Sequence, residues 1–166
     1  MKAALDVGCG TGRSYAFRTF ITVGYEPVFL EVNRPRDDLK SLGHWVVGSA
    51  EKLPFRDSAF DLVVASHVAE HLNDWIGFLA EAHRVLARGG ILDLRVPNVF
   101  SVNACAPDHK HKMSFFKLYS ALKRVGFRVL LDHVVGGRIR PRLLGKLLSI
   151  AFNLICEELR FRGVKD

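Results

Sequence analysis

Three glycines at alternate positions follow a short apolar run at the start of the chain and indicate a ligand-binding turn. The run, residues 3–7, contains Asp6 and leads at once into Gly8, Gly10 and Gly12. Glycine has no Cβ, so its backbone can adopt positive φ and approach a ligand closely. A strand that turns into a helix through such a loop is typical of the crevice where open α/β sheets bind their ligands.

Strand and helix patterns alternate along the chain and predict an α/β fold. The alternation favours a doubly wound, mostly parallel sheet with helices on both faces. Seven strands, the last antiparallel, are expected at residues 3–7, 27–32, 45–48, 61–66, 91–96, 128–135 and 159–164, and helices at 13–22, 74–87, 115–125 and 143–159.

The segment 74–87 is predicted to be an amphipathic helix. Gly89 and Gly90 are expected to cap it, because glycine is favoured just past the end of a helix. Its expected buried face carries Ile76, Leu79, Ala80, His83 and Leu86.

The residues around the glycines, and the order of later segments, resemble class I S-adenosylmethionine-dependent methyltransferases. The segment 5–12, LDVGCGTG, resembles the first motif of that family. Segments 30–32, 46–55, 60–67 and 84–98 follow in the family's order. The resemblance implies a Rossmann-like sheet, S-adenosylmethionine as cofactor, and methyl transfer to a nucleophilic acceptor.

The resemblance also implies which residues hold the cofactor. Gly8, Cys9 and Gly10 would place their backbone along its amino-acid and ribose portions, and Asp6 would anchor the loop. Ser66 and His67 would lie beside the methyl donor. The full expected set is Asp6, Gly8, Cys9, Gly10, Gly12, Glu31, Val32, Ser49, Ala50, Glu51, Ser66 and His67.

Two acidic residues compete for the role of ribose ligand. Glu31 follows a β-branched and aromatic run that favours a strand over 28–32, and a carboxylate at a strand end can accept both ribose hydroxyl protons. Glu26 is the alternative, with 23–27 as the strand. Glu31 is preferred, because Gly24 to Glu26 then form the turn after the first helix.

The segment Ser49–Glu51 matches the loop that holds adenine in the family. Relatives usually carry Asp where this chain has Ser49. A neutral hydroxyl is a weaker acceptor for the adenine amino group than a carboxylate. Some loss of cofactor affinity is therefore expected, and an ordinary turn hydroxyl is the alternative role.

The segment 67–71, HVAEH, matches the H-x-x-E-H pattern of inverted zinc proteases. Two histidines four residues apart could share one helix face. No third ligand at a persuasive spacing is evident in the sequence, and the segment follows the fourth strand of the methyltransferase series. We therefore predict no metal, with His71 as an acceptor-site or buried structural residue.

The loop after the fifth strand carries the polar cluster 108–112, DHKHK. A histidine there could act as a general base, since its ordinary pKa is near 6.5, or the cluster could bind an acidic group. An exposed polar loop is an equally weighted alternative. The candidate acceptor-site residues are His67, His71, Asn98, His109 and His111.

The composition of the chain indicates its number of domains, its possible partners and its cellular compartment. The 166 residues, 49% of them hydrophobic, suit one domain over 1–166, a minimal core that could form a homo-oligomer. A net charge of +7 permits an acidic partner such as nucleic acid, a phosphorylated substrate or an anionic lipid, or simply a basic surface. Three widely spaced cysteines suggest neither a disulfide framework nor a zinc site and favour the cytoplasm.

Two other functions compete with methyl transfer. A degenerate cofactor fold acting as a non-catalytic subunit or scaffold would explain Ser49, although the intact glycine loop and Glu31 oppose it. A nicotinamide-dependent oxidoreductase would explain the glycine loop but not residues 46–98. Fold alone does not decide among these.

Overall fold

The structure, a computed structural model, describes residues 2–10, 24–34, 43–130 and 158–166. The expected helix at 13–22 and the cofactor candidate Gly12 lie outside these ranges. Most of the expected helix at 143–159, and residues 131–135 of the expected sixth strand, also lie outside them.

One seven-stranded sheet forms the frame of the molecule. Its strands are β1 (Lys2–Val7), β2 (Tyr25–Glu31), β3 (His44–Val47), β4 (Phe60–Ser66), β5 (Leu86–Pro97), β6 (Phe127–Leu130) and β7 (Glu158–Lys165), in the order β3-β2-β1-β4-β5-β7-β6. Strands β1 to β5 run parallel, whereas β7 pairs antiparallel with both β5 and β6. This confirms the predicted seven-stranded sheet, its parallel centre and its antiparallel last strand.

Two helices cover one face of the sheet. They are α1 (Trp75–Val85) and α2 (Phe115–Val125), and both pack into the main core. Phe78 and Leu79 of α1 are fully buried there with Leu92 and Phe161 of the sheet. Burying such side chains is worth about 1.5–3 kcal/mol each, so this layer stabilises the sheet against which the helices pack.

The buried face of α1 differs from the prediction. Trp75, Phe78, Leu79, Ala82 and Val85 are buried, whereas Ile76 and Ala80 are exposed. The helix is capped by Asp74, whose carboxylate accepts from the Gly77 N–H at 2.8 Å. This cap fixes the start of the helix, in which Trp75 is buried and Ile76 is 45% exposed.

The glycine pair after α1 lies inside a strand and does not cap the helix. Leu86 is already extended and pairs with Phe60, so α1 ends at Val85 and β5 begins at once. The pairing then shifts register, and Gly89 has φ of +76°. The predicted helix over 74–87 was therefore too long, because the pair 89–90 forms an irregularity within β5.

Other boundaries moved by one to three residues. Strand β2 starts at Tyr25, so Glu26 belongs to the strand and not to the turn expected before it. Strand β7 starts at Glu158, two residues inside the end of the helix expected over 143–159. Helix α2 has the predicted limits, and Gly126 ends it with φ of +110°.

Candidate functional site

A cavity of about 460 Å³ lies where four neighbouring parallel strands end. Gly8 follows β1, Glu31 ends β2, Gly48 follows β3 and His67 follows β4, and all four line the cavity. Because parallel strands present their carboxyl ends at one edge, the topology alone brings these residues together.

The glycine loop turns sharply at the floor of this cavity. Gly8 has φ of +65°, and its N–H donates to the Leu30 carbonyl at 2.8 Å. A Cβ at Gly8 would lie 2.5 Å from Cγ2 of Val68. Gly10 has φ of +55°, but a Cβ there would meet no atom of the described residues within 4 Å. Gly8 is therefore required by packing, whereas the space beside Gly10 is open.

The Glu31 carboxylate holds this loop from the neighbouring strand. Its Oε2 accepts from the Gly10 N–H at 2.9 Å, and its Oε1 accepts from the Val32 N–H at 2.8 Å. Glu26, the alternative ribose ligand, lies near the opposite end of β2, where its Oε1 is 3.2 Å from Nε2 of His44. Of the two acidic residues, only Glu31 lines the cavity.

Cys9 and Asp6 lie behind the loop rather than on the cavity wall. Both are buried. Burial, together with the carboxylates of Asp6 and Glu31, raises the pKa of the Cys9 thiol to about 12. At neutral pH the thiol is therefore protonated and unreactive.

The loop after β3, together with Val32 after β2, forms a second wall. Val32, Ser49, Ala50 and Glu51 all line the cavity, and Val32 is 63% exposed. The Ser49 hydroxyl accepts from the Glu51 N–H at 3.1 Å. The Glu51 carboxylate accepts from the Asn73 N–H at 2.6 Å, so this side chain ties the wall to the segment that starts α1.

His67 stands at the third wall in a strained backbone conformation. Its φ is +58°, uncommon for a residue with a side chain, and its N–H donates to the Arg95 carbonyl at 2.9 Å. Its imidazole lies between two carboxylates, with Nδ1 3.3 Å from Glu70 and Nε2 3.9 Å from Glu158. The Glu158 and Glu70 carboxylates raise the pKa of His67 to about 9.

The segment after His67 forms a short 3₁₀ helix, Ala69–His71, rather than the α-helix turn that would align His67 with His71. His71 lines the cavity, and its Nδ1 lies 3.3 Å from the Asp108 carbonyl. Its ring meets the His109 ring edge to face, with centroids 4.8 Å apart. The structure thus places His71 beside the loop that follows β5.

The loop 108–112 borders the cavity through Lys110. The N–H groups of Lys110 and His111 both donate to the Glu70 carbonyl, at 2.8 and 3.2 Å. Lys110 lines the cavity, and its Nζ donates to Asn73 Oδ1 at 3.0 Å. His111 does not line it; its ring lies near Trp75, and its Nε2 is 3.3 Å from the Asn73 carbonyl.

Several expected residues do not reach the cavity wall. Ser66, the last residue of β4, does not line the cavity, and neither does His109, whose ring contacts that of His71. Asn98 is buried and bridges to Met113. Six lining residues were absent from the predicted set: Leu30, Gly48, Val68, Leu72, Asn73 and Lys110.

Comparison with known proteins identifies the family. A family model described as a methyltransferase domain matches residues 5–94, just over half of the chain. The chain is 40% identical over 111 residues to a phthiotriol/phenolphthiotriol dimycocerosates methyltransferase of Mycobacterium ulcerans, covering 58% of this chain and 39% of that protein. It is 29% identical over 138 residues to a probable S-adenosylmethionine-dependent methyltransferase of Mycolicibacterium smegmatis, covering 77% of this chain and 52% of that protein.

A solved structure shows the same fold. A SAM-dependent methyltransferase from Archaeoglobus fulgidus superposes with a TM-score of 0.71 at 19% identity, covering 99% of this chain and 86% of that one. The chain spans about half or less of the length of the two curated relatives. The sheet order, the glycine turn at the end of β1 and the family match lead to one conclusion: the chain belongs to the class I S-adenosylmethionine-dependent methyltransferase family.

Proposed function

We propose that this chain binds S-adenosylmethionine in the cavity and transfers its methyl group to a nucleophilic acceptor. One observation carries the proposal: the Glu31 carboxylate stands at the cavity wall while it holds the backbone of the glycine loop. The Glu31 side chain therefore connects the glycine turn, which is expected to contact the amino-acid portion of the cofactor, with the position expected for the cofactor's ribose.

Glu31 has the capacity to bind two hydroxyls in addition to the loop. Each carboxylate oxygen offers about two lone pairs, and each accepts one backbone N–H in this structure. One acceptor position per oxygen remains for a ribose hydroxyl. Hydrogen bonds to an ionised acceptor are stronger than neutral ones, so Glu31 is the main polar anchor of the proposed site.

The wall formed by Val32, Ser49 and Ala50 suits an aromatic base. Val32 offers exposed apolar surface, and the Ser49 hydroxyl can still donate its proton after accepting from Glu51. The Glu51 carboxylate is engaged with the Asn73 backbone, so its contribution is to position the wall.

The acceptor enters, in this proposal, on the side of His67, His71 and Lys110. The Lys110 ammonium brings a positive charge to this side, and the chain carries a net charge of +7. Both features favour an acceptor that carries an acidic group. The loop 108–112 then covers the acceptor and excludes water, with His109 positioned through His71.

Methyl transfer requires little acid–base chemistry from the protein. The bound cofactor supplies a methyl group already activated by the positive charge on sulfur. The residues of this chain have to hold the acceptor in line with that methyl group and keep water away. A proton acceptor is needed only where the attacking atom carries a proton at neutral pH.

Calorimetry with S-adenosylmethionine, its demethylated product and NAD tests the proposal. We expect the first two to bind with micromolar affinity and NAD not to bind. Binding of NAD alone would favour an oxidoreductase, and binding of none of the three would favour the scaffold alternative.

A further inference from the structure

We infer that Glu70, His71 and His109 form a binding site for a divalent transition-metal ion, with Zn²⁺ the best match. Each residue offers one ligand atom, and the three atoms lie within 4.8 Å of one another. The sequence showed no third ligand beside the pair in 67–71, because the third, His109, comes from the loop after β5. His67 belongs to that sequence pattern but not to this cluster.

The Glu70 carboxylate is buried and only partly paired. Glu70 is 1% exposed, and neither carboxylate oxygen has a hydrogen-bond partner among the described residues. The His67 imidazole forms an ion pair with this carboxylate, with Nδ1 3.3 Å from Oε1, and leaves Oε2 without a partner in the described part of the chain. Burial of a carboxylate without full pairing is costly, and a bound cation would remove that cost.

His109, a second member of the cluster, also carries an unpartnered polar atom. Its Nδ1 is buried and has no hydrogen-bond partner within the described ranges. A buried ring nitrogen without a partner is uncommon in a native structure and calls for an explanation, such as an ion. Two of the three residues in the cluster, from different segments of the chain, therefore carry a buried polar atom without a hydrogen-bond partner among the residues that the structure describes.

The backbone holds these ligands close together before any ion binds. The Glu70 carbonyl accepts from both Lys110 and His111, which fixes the loop against the 3₁₀ helix. The contact of His71 Nδ1 with Asp108 orients the His71 ring, as a contact behind a metal-binding histidine does. The cluster is thus assembled by main-chain hydrogen bonds and not only by flexible side chains.

The donor set determines which ion fits. Two imidazoles and one carboxylate suit Zn²⁺, which takes four ligands in a tetrahedron and leaves one position open here. Zn²⁺–ligand bonds of about 2.0–2.1 Å place the ligand atoms of a tetrahedron roughly 3.4 Å apart. The three ligand atoms of this cluster therefore need to move about 1 Å closer to one another when the ion binds. Rotation of the His109 side chain on its loop can provide that movement.

The site would lie at the rim of the proposed acceptor pocket, because His71 lines the cavity. A bound ion would fasten the loop 108–112 to the segment after β4 and leave an open coordination position near the acceptor. This inference concerns metal binding and does not depend on methyl transfer.

Titration calorimetry of the metal-free protein with zinc chloride alone tests the inference. We expect one Zn²⁺ per chain and a higher melting temperature with the ion than in excess chelator. His109→Ala and Glu70→Gln should each weaken binding by on the order of 100-fold or more. His111→Ala is the matched control, since it lies in the same loop but outside the cluster, and should bind as the wild type does.

The inference is overturned if the wild type takes up no zinc, if both ligand variants keep wild-type affinity, or if His111→Ala loses binding as they do. Calorimetry of the metal-free wild type with S-adenosylmethionine separates this result from the proposed function. Cofactor binding without zinc binding would leave methyl transfer standing and remove the metal site alone.

Discussion

The Glu31 carboxylate and the Gly10 backbone N–H are joined by a hydrogen bond of 2.9 Å that links the end of β2 to the turn after β1. The two residues belong to adjacent parallel strands, and the cavity opens between those strand ends. The residue proposed to bind the cofactor therefore also shapes the loop against which the cofactor would lie.

Glu31→Ala should weaken S-adenosylmethionine binding by about 10- to 150-fold, because a hydrogen bond to a charged group is worth 1.5–3 kcal/mol. Calorimetry measures the affinity. Glu26→Ala is the control, since Glu26 is on the same strand but pairs with His44 at its other end, and its affinity should stay within threefold of the wild type. The reverse pattern would assign the ribose to Glu26.

Gly10→Val should abolish cofactor binding, because a Val side chain would occupy the space where the Gly10 backbone is proposed to contact the cofactor, a space that no described atom fills. Gly24→Val is the matched control: Gly24 also has positive φ, +72°, and no described atom within 4 Å of a Cβ, but it immediately precedes β2, at the opposite end of that strand from Glu31, which binds Gly10. Both variants should lose about 1–2 kcal/mol of stability from the left-handed backbone. Normal affinity in Gly10→Val would place the ligand elsewhere.

The sequence predicts the strand-end geometry well because parallel strands leave few choices. Once β1 and β2 are adjacent, Gly8 and Glu31 must meet at one edge of the sheet. The pattern around 86–90 misled because two glycines after a helix usually mark its cap, whereas Leu86 here pairs with Phe60. The conformation of residues 86–90 is determined by pairing with β4, and a local sequence pattern contains no information about that pairing.

The acceptor side was less predictable for a related reason. The loop 108–112 is held at the site by hydrogen bonds from the Lys110 and His111 N–H groups to the Glu70 carbonyl, a contact between distant segments. Residue type singled out the cluster 108–112 but could not decide which side chain faces the cavity. The histidines were favoured for their chemistry, yet Lys110 is the member of the loop that lines it.

Cys9 should react with iodoacetamide far more slowly than Cys105 at pH 8. Cys9 is buried and its thiol pKa is raised from 9.0 to about 12, whereas Cys105 is exposed. Because only the thiolate attacks, the expected rate difference is on the order of 100-fold or more. Peptide mapping by mass spectrometry follows both sites in one sample. Equal rates would show that the glycine loop opens readily in solution.

Arg84→Lys should lower the free energy of unfolding by about 1–3 kcal/mol, the typical cost of leaving buried partners unsatisfied. The Arg84 guanidinium donates to the carbonyls of Leu53 and Phe55 at 3.0 and 2.8 Å, and to Glu81 at 2.7 and 2.9 Å. It therefore fastens the segment after the cavity wall to α1, and one ammonium cannot span these acceptors. Arg88→Lys, an exposed change nearby, should have little effect in the same urea titration.

The pH dependence of the stability lost in Arg84→Lys shows whether the ion pair between Arg84 and Glu81 contributes to it. The Arg84 guanidinium lowers the pKa of Glu81 below its ordinary 4.5, so the folded state binds the proton less readily than the unfolded chain. The stabilisation is therefore fully present above the unfolded pKa and is lost as the pH falls through the folded pKa. The difference between wild type and Arg84→Lys should be constant from pH 7 to about 5.5 and shrink below pH 4.5. A difference that stays constant to pH 3 would mean that the Glu81 charge contributes nothing and that the backbone carbonyls alone account for the effect.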